Sequence, residues 1–571
     1  MMSRVYATGI DFGTSNSCVC VACYRLRNDG RLSPRPIKRP EPVTIQSGET
    51  VPTALFLGAG GEPTVFGEIA EEKAMYYPGG SLFYPDLAKT HFKLDMGAPG
   101  QQGVEAFQHA TEFLRFLKKR LEEEVPFGDP EAEFVTYVGH PVQWSSEQRR
   151  LTRQAAVDAG FPHVFVEDET SAALYNHLFE QQLELQPERS ARILAIDMGG
   201  GTTDFAFIEL PADTTAPPIS APVDPSRLVE PWDGARHTYG GRDLDELLLR
   251  HFAAKLGCTE TSRHWAFLLR ETRRFKEQFS NAVSRGRSEY QADWVIEDAP
   301  QTIALTRTEF EEIAHPFTRQ FPRLIHAALA LEELRPSDVD AVILTGGSSR
   351  WYWVEDAIQE IFPHISADGR NLVRHHAPEQ SVARGLAYRC LVDAMGARPR
   401  PRRRAAHAIW IASPATSSRG GSSDERLAIM MPRGQLLPFI CATPIRLEIE
   451  KADFDPAKAS IQLKLYSGSA EASRQELFTF DRIAVFERPL IERLMKRVAR
   501  VLPWGTSYDR DRFEVEALCS VDESEQILGR VTITRFRGKK PLQQVVQILE
   551  MAPPIQNDGA IERSTAGMAL S

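Results

Sequence analysis

Ile193-Leu-Ala-Ile-Asp197-Met-Gly199-Gly200-Gly201-Thr202-Thr203-Asp204-Phe-Ala-Phe-Ile208 reads as an apolar strand ending in an acid, a turn of three consecutive glycines, and a second apolar strand. Glycine weakens a strand, so three together between apolar runs imply that the backbone must approach something closely. An upstream stretch repeats the plan: Val5-Tyr-Ala-Thr-Gly-Ile-Asp11-Phe-Gly13-Thr14-Ser15-Asn16-Ser-Cys-Val-Cys-Val-Ala22. The two acids lie 197 − 11 = 186 positions apart, too far for a solenoid repeat and suited to a duplicated α/β half-domain. Helical patterns over 104–124 and 145–160, with a β-type run from Phe134 to Val138 between them, fit an α/β fold.

Downstream, a Pro-rich insertion (Pro211 to Pro231) carries no readable chemistry and is expected to be a loop or excursion. Helical patterns follow over 242–256 and 263–283. A third apolar strand, Ala341 to Leu344, breaks at Thr345-Gly346-Gly347-Ser348-Ser349-Arg350. Alternating Pro and Arg from Arg398 to Arg404, then a Ser/Gly-rich stretch over 412–423, predict an extended linker. Beyond it the apolar period changes to two, at Ile461 to Leu465, Phe513 to Ala517 and Leu528 to Ile533, which predicts a half-buried antiparallel sheet with turns at Ser467-Gly468 and Ser524-Glu525. A basic amphipathic segment, Leu490 to Val501, interrupts it. The expected organisation is an α/β domain over 1–395, a linker over 396–425 and a β-rich domain over 426–571.

The 571 residues are 42% hydrophobic and 25% charged, ordinary globular composition. A net charge of −10 argues against a nucleic-acid partner. No apolar run reaches the roughly 18 residues of a membrane span, and no signal peptide is expected. Seven cysteines, few and odd in number, argue against a disulfide framework and point to a cytoplasmic location. Cys20 and Cys23, three apart on a strand, face opposite ways and read as buried thiols, not a redox pair. His375-His376 lacks companions for a metal site.

A nucleoside triphosphate needs backbone N–H donors at close range, supplied by glycine turns, and a Mg²⁺ ion balanced by carboxylates. Asp11 and Asp197 sit at strand ends immediately before such turns, and the hydroxyls of Thr14, Ser15, Thr202 and Thr203 can donate to phosphate oxygens. One such turn is usually only a turn; two in the same strand-turn-strand context point to phosphate. Neither a G-x-x-x-x-G-K-S/T loop nor a G-x-G-x-x-G fingerprint is present.

These turns, with the Gly346-to-Arg350 turn, resemble the phosphate 1, phosphate 2 and adenosine motifs of the actin, sugar-kinase and heat shock protein superfamily. Within it the seventy-kilodalton heat shock proteins fit best, as a divergent bacterial-type member. Gly9-Ile-Asp11-Phe-Gly13-Thr14 is similar to their first motif, Thr170-Ser-Ala172-Ala173 to a connecting helix, Gly240-Gly241-Arg-Asp243 to a glycine turn, and Pro378-Glu-Gln-Ser-Val382-Ala383 to a second connection. The likeness is dense over about residues 5–390 and loose over 426–540.

The resemblance implies a two-lobed actin-like ATPase domain of duplicated ribonuclease H-like halves, then a β-rich, sandwich-like domain without a helical lid. It implies slow ATP hydrolysis coupled to polypeptide binding, with ATP or ADP, Mg²⁺ and K⁺ as cofactors. Unfolded or extended polypeptide, a J-domain co-chaperone and a nucleotide exchange factor are the implied partners. Asp11 and Asp197 would organise the metal. Lys89, Asp168, Asp197 and Asp204 would be catalytic, with Lys93 competing with Lys89. Gly13, Thr14, Ser15, Asn16, Gly199, Gly200, Gly201, Thr202 and Thr203 would hold phosphates. Gly240, Gly241, Lys276, Ser280, Gly346, Gly347, Ser348, Arg350 and Glu379 would frame the nucleoside, Arg350 stacking on adenine.

The chain departs from the pattern where a Glu-Pro becomes Asp168-Glu169, where a ribose-binding glutamate becomes Arg273, where a stacking arginine becomes Glu277, and where an acidic, leucine-rich linker becomes Arg/Pro. These departures keep three alternatives in view: a non-hydrolysing nucleotide-sensing scaffold, a small-molecule kinase of the same superfamily, and a filament-forming actin relative.

Overall fold

The computed structural model describes residues 4–27, 32–33, 35–58, 62–76, 87–127, 129–142, 144, 146–180, 189–212, 218–223, 239–259, 264–296, 299–366, 371–374, 377–395, 402–405, 408–413, 426–437, 439–440, 445–449, 454–455, 460–461, 463–468, 475–480, 511–521, 527–537 and 540–550. Two compact units emerge: Met1–Ile409 with Met431–Pro438 and Ser467–Arg474, and Trp410–Met430 with Phe439–Tyr466 and Gln475–Ser571. The first unit thus takes in residues on both sides of the expected linker.

The first unit is built on two sheets of matching topology. In one, β1 (Arg4–Asp11) forms an antiparallel hairpin with β2 (Asn16–Arg25), β3 (Lys38–Pro42) extends the β2 side antiparallel, and β4 (Thr50–Pro52) also pairs with β2. On the other side of β1, β8 (Ala132–His140) and β9 (Val164–Asp168) run parallel. Between these, β5 (Ala54–Phe56) carries β6 (Val65–Phe66) and β7 (Ala88–Thr90) as a small separate sheet, followed through the chain by α1 (Gly67–Tyr76) and α2 (Gln101–Leu121).

The second large sheet repeats the order. β10 (Ala191–Met198) and β11 (Thr203–Leu210) form the hairpin, β12 (Ile219–Val223) is the antiparallel outer strand, and β15 (Ala341–Thr345) and β16 (Leu372–Arg374) are the parallel pair. Even the registers coincide: Asp11 lies opposite Cys18, and Asp197 opposite Asp204. The mixed α/β character read from the sequence is what the structure shows, with its central hairpins at the two quoted stretches.

Helix α3 (Ser146–Asp158) lies between β8 and β9 in the chain, and two further helices cross between the sheets. α4 (Glu169–Phe179) turns Ala172 and Tyr175 toward the first sheet and Ala173 and Leu174 toward β10, β11 and β15. Its residues Glu169 through His177 are all buried, which explains the all-round apolar character of Ala172-Ala-Leu-Tyr175. α10 (Ser381–Met395) covers β1 and β2 with Val382, Ala383, Leu386 and Ala387. The largest core joins β10 and β11 to α5 (Gly241–Leu256), α6 (Trp265–Ser284), the β13–β14 hairpin (Glu289–Ile296, Ala299–Thr306), α7 (Arg307–Thr318), α8 (Gln320–Leu331) and α9 (Tyr352–Ile361).

Two expectations change. Part of the Pro-rich insertion is a strand: β12 contains Pro222, opposite Ala206. Part of the Arg/Pro segment is also a strand, since β17 (Arg402–Arg403) runs parallel to β12 at Ile219 and Ser220 and continues the second sheet. Its pairing stops short of Pro222, which has no N–H to offer. Arg404 N then donates to Ser220 O at 2.8 Å, and Ala405 N to Gln435 O at 2.8 Å. Arg433 completes the attachment through Glu332 at 3.2 Å.

The second unit is β-rich. Arg426–Met431, Ala408–Ser413, Leu463–Gly468 and Gln475–Phe480 are neighbours in one sheet, so Ser467-Gly468 lies within a strand and not at a turn. Asp511–Val521, Ile527–Arg537 and Lys540–Glu550 form an antiparallel meander. The basic segment at 490–501, the turn at 524–525, His375-His376 and residues 396–401 and 414–425 of the expected linker lie outside the described residues. Among the described residues no helix is long and apolar enough to cross a membrane, and Cys18, Cys20, Cys23, Cys258 and Cys390 form no disulfide.

Candidate active site

A cavity of about 340 Å³ opens where the two hairpin turns meet. Gly13, Thr14, Ser15 and Asn16 of the first turn and Gly199, Gly200, Gly201 and Thr202 of the second line it together. The turns are in direct apposition: a Cβ on Gly200 would run into Ser15 Oγ, and one on Gly201 would lie 2.9 Å from Thr14 Cγ2. A side chain at Gly200 or Gly201 would therefore push the two turns apart, whereas a Cβ on Gly199 would meet only Thr202 O, at 3.4 Å.

The third turn closes the same space. Gly346 sits at φ 79, a conformation that side chains disfavour, and a Cβ there would stand 2.5 Å from Asp197 Oδ1. Ser348 Oγ donates to Gly199 O at 2.9 Å, tying the third turn to the second. Gly346, Gly347, Ser348 and Arg350 line the cavity, and Arg350 Nη2 donates to Glu379 Oε1 at 2.8 Å. From α6, Lys276 and Ser280 reach it, and Lys276 Nζ is fixed by Asp245 Oδ1 at 2.7 Å and Gly241 O at 3.0 Å. Gly240, Thr203 and Asp204 stand just behind the wall. Gly240 N donates to Asp243 Oδ2 at 2.9 Å, Thr203 Oγ1 to Tyr239 O at 2.7 Å, and Thr202 Oγ1 to Asp204 Oδ2 at 3.2 Å.

Two residues of the sequence reading lie off the cavity wall, each with a near neighbour in the chain that lines it. Lys89 lies on β7 opposite Leu55 and is not part of the cavity wall; Lys93, four residues on, lines it, as Lys276 does. The chain leaves β7 through His91, whose φ of 63 is left-handed, and the short 3₁₀ turn Phe92–Asp95 carries Lys93 inward. Lys93 Nζ meets Glu169 Oε1 at 2.9 Å and lies 5.2 Å from the Trp144 ring centroid and 5.8 Å from that of Phe12. Asp168 is likewise displaced by its neighbour. Its carboxylate caps α4, accepting from Ser171 N (2.8 Å), Ser171 Oγ (2.8 Å) and Thr170 Oγ1 (2.6 Å), while Glu169 faces the cavity. In both cases the local backbone decides which residue lines the cavity: the left-handed turn at His91 and the cap of α4. Arg242, Asp245, Asn281 and Trp351, none assigned to the site from sequence, also line it, as does Arg273, which stands where the resemblance puts a ribose-binding glutamate. Arg273 stands 3.8 Å from both Glu71 and Glu277.

The electrostatics are those of a cation site. Burial, then the charge of Glu169, pushes the Asp11 carboxyl up to about 7 despite Lys93 nearby. Burial, then Glu169, Asp11 and Asp204, drives Asp197 up as well. Asp11 and the buried acids Glu169, Asp197 and Asp204 thus face one buried ammonium, an excess of negative charge that a divalent cation relieves. Among the described residues no three metal-ligating side chains converge closely enough to cage an ion. Asp11 and Asp197, one at each turn, are the carboxylates that could hold the water shell of a Mg²⁺ ion carried on phosphate oxygens.

A protein-family model described as "Hsp70 protein" matches residues 95–398, more than half of the chain. The chain belongs to the Hsp70 family. Among curated proteins it is similar to "Chaperone protein DnaK" from Thermosipho melanesiensis (strain DSM 12029 / CIP 104789 / BI429), 23% identical over 405 residues, which cover 68% of this chain and 59% of that protein. This Hsp70 member therefore spans about three-fifths of the length of the curated relative it matches.

Proposed function

We propose that this Hsp70-family chain binds Mg-ATP between its two sheets and hydrolyses it slowly as a chaperone-type switch. The observation that supports this best is the apposition of the two hairpin turns, each preceded by an aspartate, around one cavity. Mg²⁺ would neutralise charge on the β- and γ-phosphates, and phosphoryl transfer to water needs such neutralisation and positioning more than covalent chemistry.

In this reading the backbone N–H groups of the two turns hold the phosphates, and the hydroxyls of Thr14, Ser15 and Thr202 donate to their oxygens. Lys93, desolvated and aimed by Glu169, places its ammonium at the γ-phosphate end. Asp204, bonded to Thr202, orients the attacking water as acceptor. Asp11 and Asp197 hold the metal's water shell. The nucleoside lies between α6 and the Gly346–Arg350 turn.

We further propose that the nucleotide state reaches the β-rich unit through the second sheet. β17 pairs with β12, β12 with β11, and β11 begins at the second phosphate turn, so a shift of that turn is carried to the Arg/Pro segment by three adjacent strands. The β-rich unit would bind unfolded or extended polypeptide, with a J-domain protein and an exchange factor as partners, in the cytoplasm, K⁺ accompanying Mg²⁺.

The test is calorimetric titration with ATP and ADP in Mg²⁺, with phosphate release measured in parallel. Expected are binding of both nucleotides and release without added acceptor. Binding with no release would favour the sensing scaffold, release only with a sugar-like acceptor the kinase, and no binding of either nucleotide would refute the reading.

A further inference from the structure

Arg242 carries the first side chain after the Gly240-Gly241 turn, and it lines the cavity. Its backbone is tied to the second phosphate turn by two consecutive bonds: Gly241 N donates to Gly199 O at 3.1 Å and Arg242 N to Gly200 O at 2.9 Å. A Cβ on Gly240 would lie 2.7 Å from Gly200 O, and one on Gly241 would run into Ser348 Oγ, so the two residues ahead of Arg242 stay bare. The start of α5 is thus fixed against the turn, and its N–H groups are spent. Gly240 N donates to Asp243 Oδ2 at 2.9 Å, and Asp243 N to Gly240 O at 3.1 Å. What this helix end has left to offer an anion is the guanidinium of Arg242.

An arginine at the second position of α5 stands at the positive end of the helix dipole, so helix stability is no reason for it. Its charge also reaches the first half of the fold: burial, then Arg242, then Arg273, holds His91 down to about 3. His91 opens the turn that carries Lys93 into the cavity. Arg242 from the second half and Lys93 from the first therefore flank the same end of the cavity, where the terminal phosphate lies in the reading above. Lys93 shares its charge with Glu169. Mg-ATP carries one negative charge more than Mg-ADP, which a cation already paired to a carboxylate balances only in part.

We infer that Arg242 is a specificity-determining residue, whose guanidinium meets the third phosphate from the side opposite Lys93 and adds affinity that a diphosphate does not receive. Its planar fork can give two N–H donors to one phosphate. The inference rests on the nucleotide reading above and concerns only the far end of the phosphate chain.

The test is calorimetric titration with Mg-ADP and with Mg-AMP-PNP, which keeps a third phosphate and resists hydrolysis. In Arg242→Gln, affinity for Mg-AMP-PNP falls about tenfold or more, the scale of one charge-assisted hydrogen bond, while Mg-ADP binds as in the parent. Arg242→Lys keeps the charge and loses the fork, so Mg-AMP-PNP weakens by a smaller factor and Mg-ADP again binds as in the parent.

Unchanged Mg-AMP-PNP affinity in Arg242→Gln overturns the inference, as does an equal loss for the two nucleotides. Should the glutamine variant fail to fold, a lysine variant that weakens both nucleotides equally, or neither, overturns it. In each of these cases a parent protein that binds both nucleotides leaves the phosphate turns standing; a parent that binds neither sinks the nucleotide reading as well.

Discussion

Replacing Lys93 separates the site lysine from its rival in sequence. Its side chain is 2% exposed and that of its partner Glu169 is 8%. Truncation to alanine leaves a carboxylate buried beside Asp11 and Asp197 with its nearest cation gone, and breaking a buried pair from one side costs about 3–5 kcal/mol. Lys93→Ala is therefore expected to melt well below the parent. The double variant Lys93→Met with Glu169→Gln removes both charges, fills most of the space against Phe12 and Trp144, and should recover most of that loss. Turnover should not recover: loss of one preorganised charge at the phosphate end costs about 10²–10³ in rate. Lys89→Ala, on β7 outside the wall, should change neither by more than about twofold, as for surface substitutions generally. Thermal melting and phosphate release at saturating Mg-ATP measure the two effects separately. Parent-like turnover in the double variant, or an equal loss in Lys89→Ala, would refute the placement of Lys93 at the reacting phosphate.

Asp197→Asn removes one of the mutually repelling acids, so without Mg²⁺ it should melt at or above the parent temperature while hydrolysis drops about 10²-fold or more; melting and phosphate release check this together. Thr202→Val should likewise stop turnover with the fold intact, and parent-rate hydrolysis would remove the second turn from the site. His91 is held down to about 3 by burial, then by Arg242 and Arg273; the unfolded chain takes up the proton near 6.5, so this residue lowers stability as pH falls from about 6.5 toward 3. His91→Asn, which tolerates the left-handed backbone, should therefore outlast the parent by at most about 2 kcal/mol at pH 5 and by little at pH 7.5, measured by denaturant melts. Arg433→Glu should loosen the Arg404–Ala405 attachment and speed tryptic cleavage at Arg402 to Arg404 about fivefold, from a pair worth about 1 kcal/mol; adding Glu332→Arg should restore resistance.

The hairpins were legible because apolar strands, acids and glycines mark them in the local pattern, and the shared register of Asp11/Cys18 and Asp197/Asp204 follows from two turns of equal length. What stayed hidden depended on contacts far along the chain. Nothing near residue 90 announces that His91 adopts a left-handed turn, which decides whether Lys89 or Lys93 enters the cavity. Asp168 and Glu169 are equally good acids on paper; the cap requirement of α4 assigns one inward and one to the helix end. The strand at Arg402-Arg403 was hidden because proline and like charge argue against pairing. Only the open edge of β12, far upstream in the chain, accommodates it, and sequential elements are neighbours often enough that so distant a partner is not the natural expectation.

The two hairpins share a register but not its residues: where the second has Asp204, the first has Cys18. Two like halves would greet a phosphate chain identically from either direction. With a hydrogen-bond acceptor behind one bend and a protonated sulfur behind the other, they cannot. The two flanks of the cavity therefore differ chemically, and in the proposed reading the attacking water would be held on the Asp204 flank, opposite the Cys18 thiol.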